Sequence, residues 1–73
     1  MNKYIVYAGG SFNAEYYPVI GGLKEVENWA WQTALEECDY REGELIYYVE
    51  PFDETNEEHL DYLEWNGGEF IEV

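Results

Sequence analysis

One cysteine, one histidine and one serine are the side chains of this 73-residue chain best suited to nucleophilic catalysis. Cys38 and His59 would make a thiol–imidazole pair if the fold joined them. Their settings argue otherwise. Cys38 falls on the core face of a predicted helix, where a lone cysteine behaves as a small apolar residue. His59 reads as a polar residue on the outside of a short helix. Carboxylates are everywhere, so no single pair marks a glycosidase, and a chain this short builds little cleft. Asp53-Glu54-Thr55-Asn56-Glu57-Glu58-His59 is dense in oxygen ligands but lacks the alternating ligands and central glycine of a calcium loop. Gly9-Gly10-Ser11 follows a strand as a phosphate loop does, yet no lysine opens a helix after it, and it reads as a turn. The expectation is a protein without catalytic residues, metal or cofactor.

The acids are the remaining signal. Seventeen Asp and Glu face three Lys and Arg, for a formal charge of −14. Glu36, Glu37, Asp39, Glu42 and Glu44 cluster around Arg41 alone, and Asp53, Glu54, Glu57, Glu58, Asp61 and Glu64 have no basic neighbour. An ordinary solvated helix mixes signs at i,i+4 spacing. A one-signed field destabilises a small domain by self-repulsion. Adaptation to high salt, solubility and attraction of a basic partner are the competing explanations. Solubility needs far less charge, and attraction to a basic surface accounts for the excess.

A domain of this length has a radius of gyration near 11 Å and is roughly 29 Å across. Duplex DNA carries about 17 charges over that span. The protein's charge is of the same order as that of the DNA it could replace, and it opposes direct binding to nucleic acid or anionic lipid. The single Cys38 excludes an internal disulfide and fits a reducing, cytoplasmic setting. MNKYIVYAGG has no apolar run before a cleavage site, so no signal peptide is expected, and no run reaches transmembrane length.

The elements that must position these residues follow from spacing. LKEVENWAWQTALEECDYR, 23–41, is the longest periodic stretch. With Leu23 at zero and 100° per residue, Val26, Ala30, Ala34 and Cys38 fall within about 60° of it. Trp31 and Leu35 extend that stripe, and Trp29 projects among Glu25, Gln32, Glu36 and Asp39. Lys3 to Ala8 and Glu15 to Ile20 read as strands, with Pro18 suggesting an edge or an irregularity. ELIYYVE, 44–50, is apolar on both faces and reads as a central strand. Thr55 and Glu58 have capping-box spacing before a short helix, 56–65, with Leu60 and Leu63 inward. Asn66-Gly67-Gly68 ends it, and 69–73 reads as a last strand. The expected fold is a single α+β domain in the order β-β-α-β-α-β: a small antiparallel sheet of three or four strands, one long helix across it and a short second helix. An exposed edge strand would support a homodimer.

These features resemble a class, the small acidic proteins of phages and mobile elements that imitate DNA. Antirestriction proteins, inhibitors of uracil-DNA glycosylase and several anti-CRISPR proteins belong to it. The opening KYIVYAGGSFNAEYYPVIGG also resembles the strand-then-Tyr/Asn start of ArdA-type antirestriction domains. The class has varied folds and no fixed motif, so it transfers no functional residue. It implies a non-enzymatic inhibitor that blocks the positively charged nucleic-acid surface of a host defence nuclease. The contact set expected is Glu36, Glu37, Asp39, Glu42, Asp53, Glu54, Glu57, Glu58, Asp61 and Glu64, with Trp29 and Tyr40 as anchors. Some of Tyr16, Tyr17, Tyr40, Tyr62 and Trp65 should lie among the carboxylates, since a polar rim around aromatic anchors is the composition of a protein-binding surface. The alternative is an adaptor docking through Trp29, with charge serving solubility.

Overall fold

The computed structural model describes residues 2–10, 14–37 and 45–73. Its elements follow the expected order: β1 (Asn2–Gly9), β2 (Glu15–Gly21), α1 (Leu23–Glu37), β3 (Ile46–Pro51), α2 (Glu57–Trp65) and β4 (Ile71–Glu72). Cys38, Asp39, Tyr40, Arg41, Glu42 and Glu44 lie outside the described residues, and so does the expected last turn of the long helix.

The sheet runs β3-β1-β2-β4. Here β1 pairs antiparallel with both neighbours, Val6 facing Tyr17 on one side and Val49 on the other. By contrast β4 lies parallel to β2, with Val19 opposite Ile71. The sheet is therefore mixed, where an antiparallel one was expected. The cause is α2, which carries the chain back along the sheet after β3, so that β4 must run in the direction of β2. Both helices are crossovers, α1 from β2 to β3 and α2 back from β3 to β4. Crossovers running in opposite directions with one hand must use opposite faces, and they do. On one face α1 covers Tyr4, Val6, Ala8 and Val19, with Val26, Ala30 and Ala34 fully buried between the layers. On the other, α2 covers Tyr16 and Glu50, the side to which alternation assigns the fully buried Ile5.

Several expectations change. Among the described residues β3 is an edge strand, not a central one. Its two apolar faces report a helix on each side of the sheet, which is independent of position in the hydrogen-bond order. On α1, Trp31 and Leu35 are exposed and Thr33 is buried. The buried set Val26, Ala30, Thr33 and Ala34 centres about 35° from Leu23 toward Trp29. That rotation half-buries Trp29, which packs on the core and meets Tyr17 edge-on at 5.2 Å. Leu60 is exposed, and His59 takes the inward position expected of it.

The two prolines share a placement. Ile20 O accepts from Val73 N–H at 3.2 Å, so even-numbered residues of β2 turn their backbone groups away from β1. Pro18 is one of them, in the part of β2 that β4 does not reach. Phe52 N–H donates to Lys3 O at 2.9 Å, so odd-numbered residues of β3, Pro51 included, face outward. Each edge thus presents an outward position with no N–H to give. At the far end of β2, a Cβ on Gly21 would stand 2.8 Å from Val73 Cγ2, which lets the C-terminal residue close over the strand.

Candidate functional site: the acidic face of α2

The chain enters α2 through two local devices. Asp53 accepts from Thr55 N–H at 2.9 Å and Thr55 Oγ1 at 2.7 Å. Asn56, rather than the expected Thr55, is the N-cap: its Oδ1 accepts from Glu58 N–H at 2.9 Å and His59 N–H at 3.3 Å. At the other end Gly68 N–H donates to Leu63 O at 2.8 Å, with Gly67 and Gly68 at φ 76° and 78°. Asn66-Gly67-Gly68 thus stops the helix as the sequence indicates, because only glycine adopts two successive left-handed positions cheaply.

The hydrogen bonds from Thr55 hold the Asp53 carboxyl below its ordinary value of 3.8. A depressed native pKa gives stability that is complete above the unfolded value and lost as pH falls through the native one. Asp53→Ala should therefore lower the urea midpoint slightly at neutral pH. That difference should disappear in acid below the ordinary Asp range; a gap that persists there would show that the carboxylate is not its source.

His59 fixes the helix to the sheet. It is 2 % exposed. Its Nδ1 accepts from Asp53 N–H at 3.0 Å, and its Nε2 lies 2.6 Å from Glu50 Oε1. Since Nδ1 is an acceptor, the proton of the neutral ring sits on Nε2 and points at Glu50. Phe52 stacks on the imidazole at 5.9 Å. Burial, and then a hydrogen bond to Glu50, push the Tyr7 phenol far above its usual value, so it remains a neutral donor. Burial and the nearby Glu58 carboxylate raise Tyr62 in the same direction. These groups form a satisfied polar layer under α2. No described buried side-chain nitrogen or oxygen lacks a partner.

Neither a family model, nor a curated protein, nor a solved structure matches the chain. Its chemistry is therefore read from this face alone. Glu57, Asp61 and Glu64 lie within about 60° of one another around the helix axis, with Glu58 beside them. All four are exposed, as are Asp53 and Glu54 in the turn before. Glu57 and Glu58 suit the N-terminal end of the helix dipole, whereas Asp61 sits mid-helix and Glu64 opposes the C-terminal end, where no basic residue stands. Helix stability does not explain that second pair.

Of the expected contact residues, the structure gathers Asp53, Glu54, Glu57, Glu58, Asp61 and Glu64 on α2 and its leading turn. It separates Glu36 and Glu37, which end α1 on the other face of the sheet. Glu37 accepts there from Tyr17 Oη at 3.2 Å, and Glu15 accepts from the same hydroxyl. Trp29, packed on the core, is not the projecting anchor expected. The exposed tryptophans are Trp31, over Tyr47 at 5.9 Å, and Trp65, which is 92 % exposed. No group of three or more His, Cys, Asp or Glu among the described residues is arranged to hold a metal ion. No helix among them is long and apolar enough to cross a membrane.

Proposed function

We propose that this protein is a non-enzymatic inhibitor that occupies the positively charged nucleic-acid surface of a nuclease or DNA-binding protein, with the carboxylates of α2 standing in for phosphates. The supporting observation is the row of carboxylates on α2, which has no ion-pair partner among the described residues. Glu57, Glu58, Asp61 and Glu64 place four charges along roughly 10.5 Å of helix axis, or one per about 3.5 Å. One strand of B-DNA carries a phosphate per about 3.4 Å. Lysine and arginine side chains spaced for a nucleic-acid strand would meet carboxylates at a similar mean interval, in axial steps of about 1.5, 4.5 and 4.5 Å. The reading is an inhibitor of the kind that opposes host defence, acting by charge replacement rather than by chemistry.

The adaptor alternative loses its anchor with Trp29 packed on the core, and keeps a different one in the exposed Trp65.

An affinity column carrying the tagged protein, run with cytoplasmic lysate at low and at physiological salt, tests the proposal. The retained protein should be a nucleic-acid enzyme. Duplex DNA should displace it, and its affinity should fall about tenfold or more between the two salt concentrations. A partner indifferent to both DNA and salt would overturn charge replacement in favour of aromatic docking.

A further inference from the structure

β4 reaches β2 only at Val19 and Ile20. From Glu15 to Pro18, β2 therefore has no second strand beside it among the described residues. A pocket of about 540 Å³ lies against this stretch, bounded by Glu15, Tyr16, Tyr17, Asp61, Tyr62 and Trp65. Tyr16 and Tyr62 stack at 4.5 Å with 5° between their planes. Tyr7 meets the edge of Tyr16 at 4.7 Å and holds it upright. Trp65 stands at the mouth almost wholly in solvent, an unusual place for the largest apolar side chain.

We propose that this pocket binds a cationic side chain, a guanidinium in preference to an ammonium, carried on a short extended segment of the basic partner. The inference rests on the partner being basic, as argued above, and names what on that partner is recognised. Aromatic faces are electron-rich and attract cations, arginine most often. The planar guanidinium both stacks on a ring and bonds a carboxylate, which a lysine ammonium does not do together. A carboxylate flanks the rings here, Asp61 on α2, while Glu15 bounds the pocket along β2 with its own carboxylate turned to Tyr17 on the α1 face. The chain's own described lysines are far away: Lys3 sits over Phe70, and its β2 partner Ile20 is five residues, roughly 17 Å, from Glu15. Lys24 follows the end of β2 in the first turn of α1. The backbone supplies the second half of the recognition. Tyr16 N–H and C=O face away from β1 by the alternation that turns Ile20 outward. Pro18, two residues on, offers no donor. An incoming strand can thus form one pair of bonds at Tyr16 before the proline stops it, which fixes its register and places its side chain over the rings.

The test titrates the ¹⁵N-labelled protein with capped Val-Arg-Val, and separately with the uncharged Val-norleucine-Val. The arginine peptide should shift the Trp65 indole N–H and the Tyr16 amide along one saturable curve, and the norleucine peptide should not. Trp65→Ala, at a solvent-exposed position that leaves the core intact, should weaken the arginine peptide about tenfold. Asp61→Asn should weaken it severalfold, and Trp31→Ala on the other face should leave it unchanged. Shifts confined to the Glu57 and Glu58 amides, or equal binding of the two peptides, would overturn the pocket. If the pocket fails while a basic partner still competes with DNA, the inhibitor reading stands without it. If the arginine peptide titrates Trp65 but the partner ignores DNA, the pocket stands and the inhibitor reading falls.

Discussion

Replacing Glu57, Glu58, Asp61 and Glu64 together by lysine should abolish binding to the basic partner proposed above, with an expected loss of about a thousandfold or more. Close charge pairs at protein interfaces couple by about 1.5–7 kcal/mol each, and a thousandfold loss needs only about 4 kcal/mol in total. Reversal also replaces attraction with repulsion, so the four effects share a sign. The fold should survive, because all four side chains are exposed and lysine is as good a helix former as glutamate. Single reversals should cost far less, since neighbouring carboxylates still meet the same basic surface. The control reverses Glu25, Glu27, Glu36 and Glu37 on α1. Either set of four reversals moves the net charge from −14 by eight units to −6. If placement on α2 matters, the α1 set should cost no more than about tenfold, a long-range effect that salt removes. Competition against labelled duplex DNA for the same partner reads both. Equal losses from the two sets would mean that net charge, and no particular face, does the binding.

His59→Ala should destabilise the domain by about 2–4 kcal/mol. Three losses combine. A cavity opens under α2, Asp53 N–H loses its acceptor and Glu50 keeps only the Tyr7 hydroxyl as donor. A domain of this size has roughly 4–11 kcal/mol in all. The melting temperature should therefore drop by about 8–32 °C, given about 4–8 °C per kcal/mol at this length. Circular dichroism in the far and near ultraviolet would follow it. A change of only a degree or two would mean that α2 is held by Tyr62 and Leu63 alone. Because His59 holds the element that displays the carboxylates, partner binding should weaken at temperatures where α2 is released and recover on cooling.

His59 also shows where sequence reading failed, and the missed signal was spacing. His59, Tyr62 and Leu63 stand at i, i+3 and i+4, the stripe of a helix face. Treating histidine as polar moved that stripe onto Leu60 and Leu63. On α1 the small residues were legible, since Val26, Ala30 and Ala34 admit a close sheet. The bulky ones were not, because a narrow sheet covers only part of a wide apolar face and leaves Trp31 and Leu35 outside. In β3 two-sided apolarity was visible in the sequence, but coverage of both faces looks the same for an edge strand as for a central one. The parallel pairing of β4 depends on α2 returning the chain along the sheet, a long-range fact that no local window contains. Within the site, the run from Asp53 to Glu64 was legible as chemistry. Its separation from Glu36 and Glu37 was not, since that follows from the two helices taking opposite faces. The pocket beside Tyr16 required strand register to bring β2 against the end of α2.

The outward prolines bear on how this chain survives the loss of its charge. Near pH 4.1, the isoelectric point of the sequence, mutual repulsion between molecules vanishes while the aromatic surface remains. An edge of continuous donors and acceptors would then template ladder growth from one molecule to the next. Here an approaching strand meets an imide nitrogen on either side, Pro18 on β2 and Pro51 on β3. That barrier is covalent and does not titrate. Acid can therefore bring these molecules together as amorphous clusters, which dissolve again when the carboxylates ionise, while ladder growth along β3 and along the uncovered part of β2 is interrupted at the prolines.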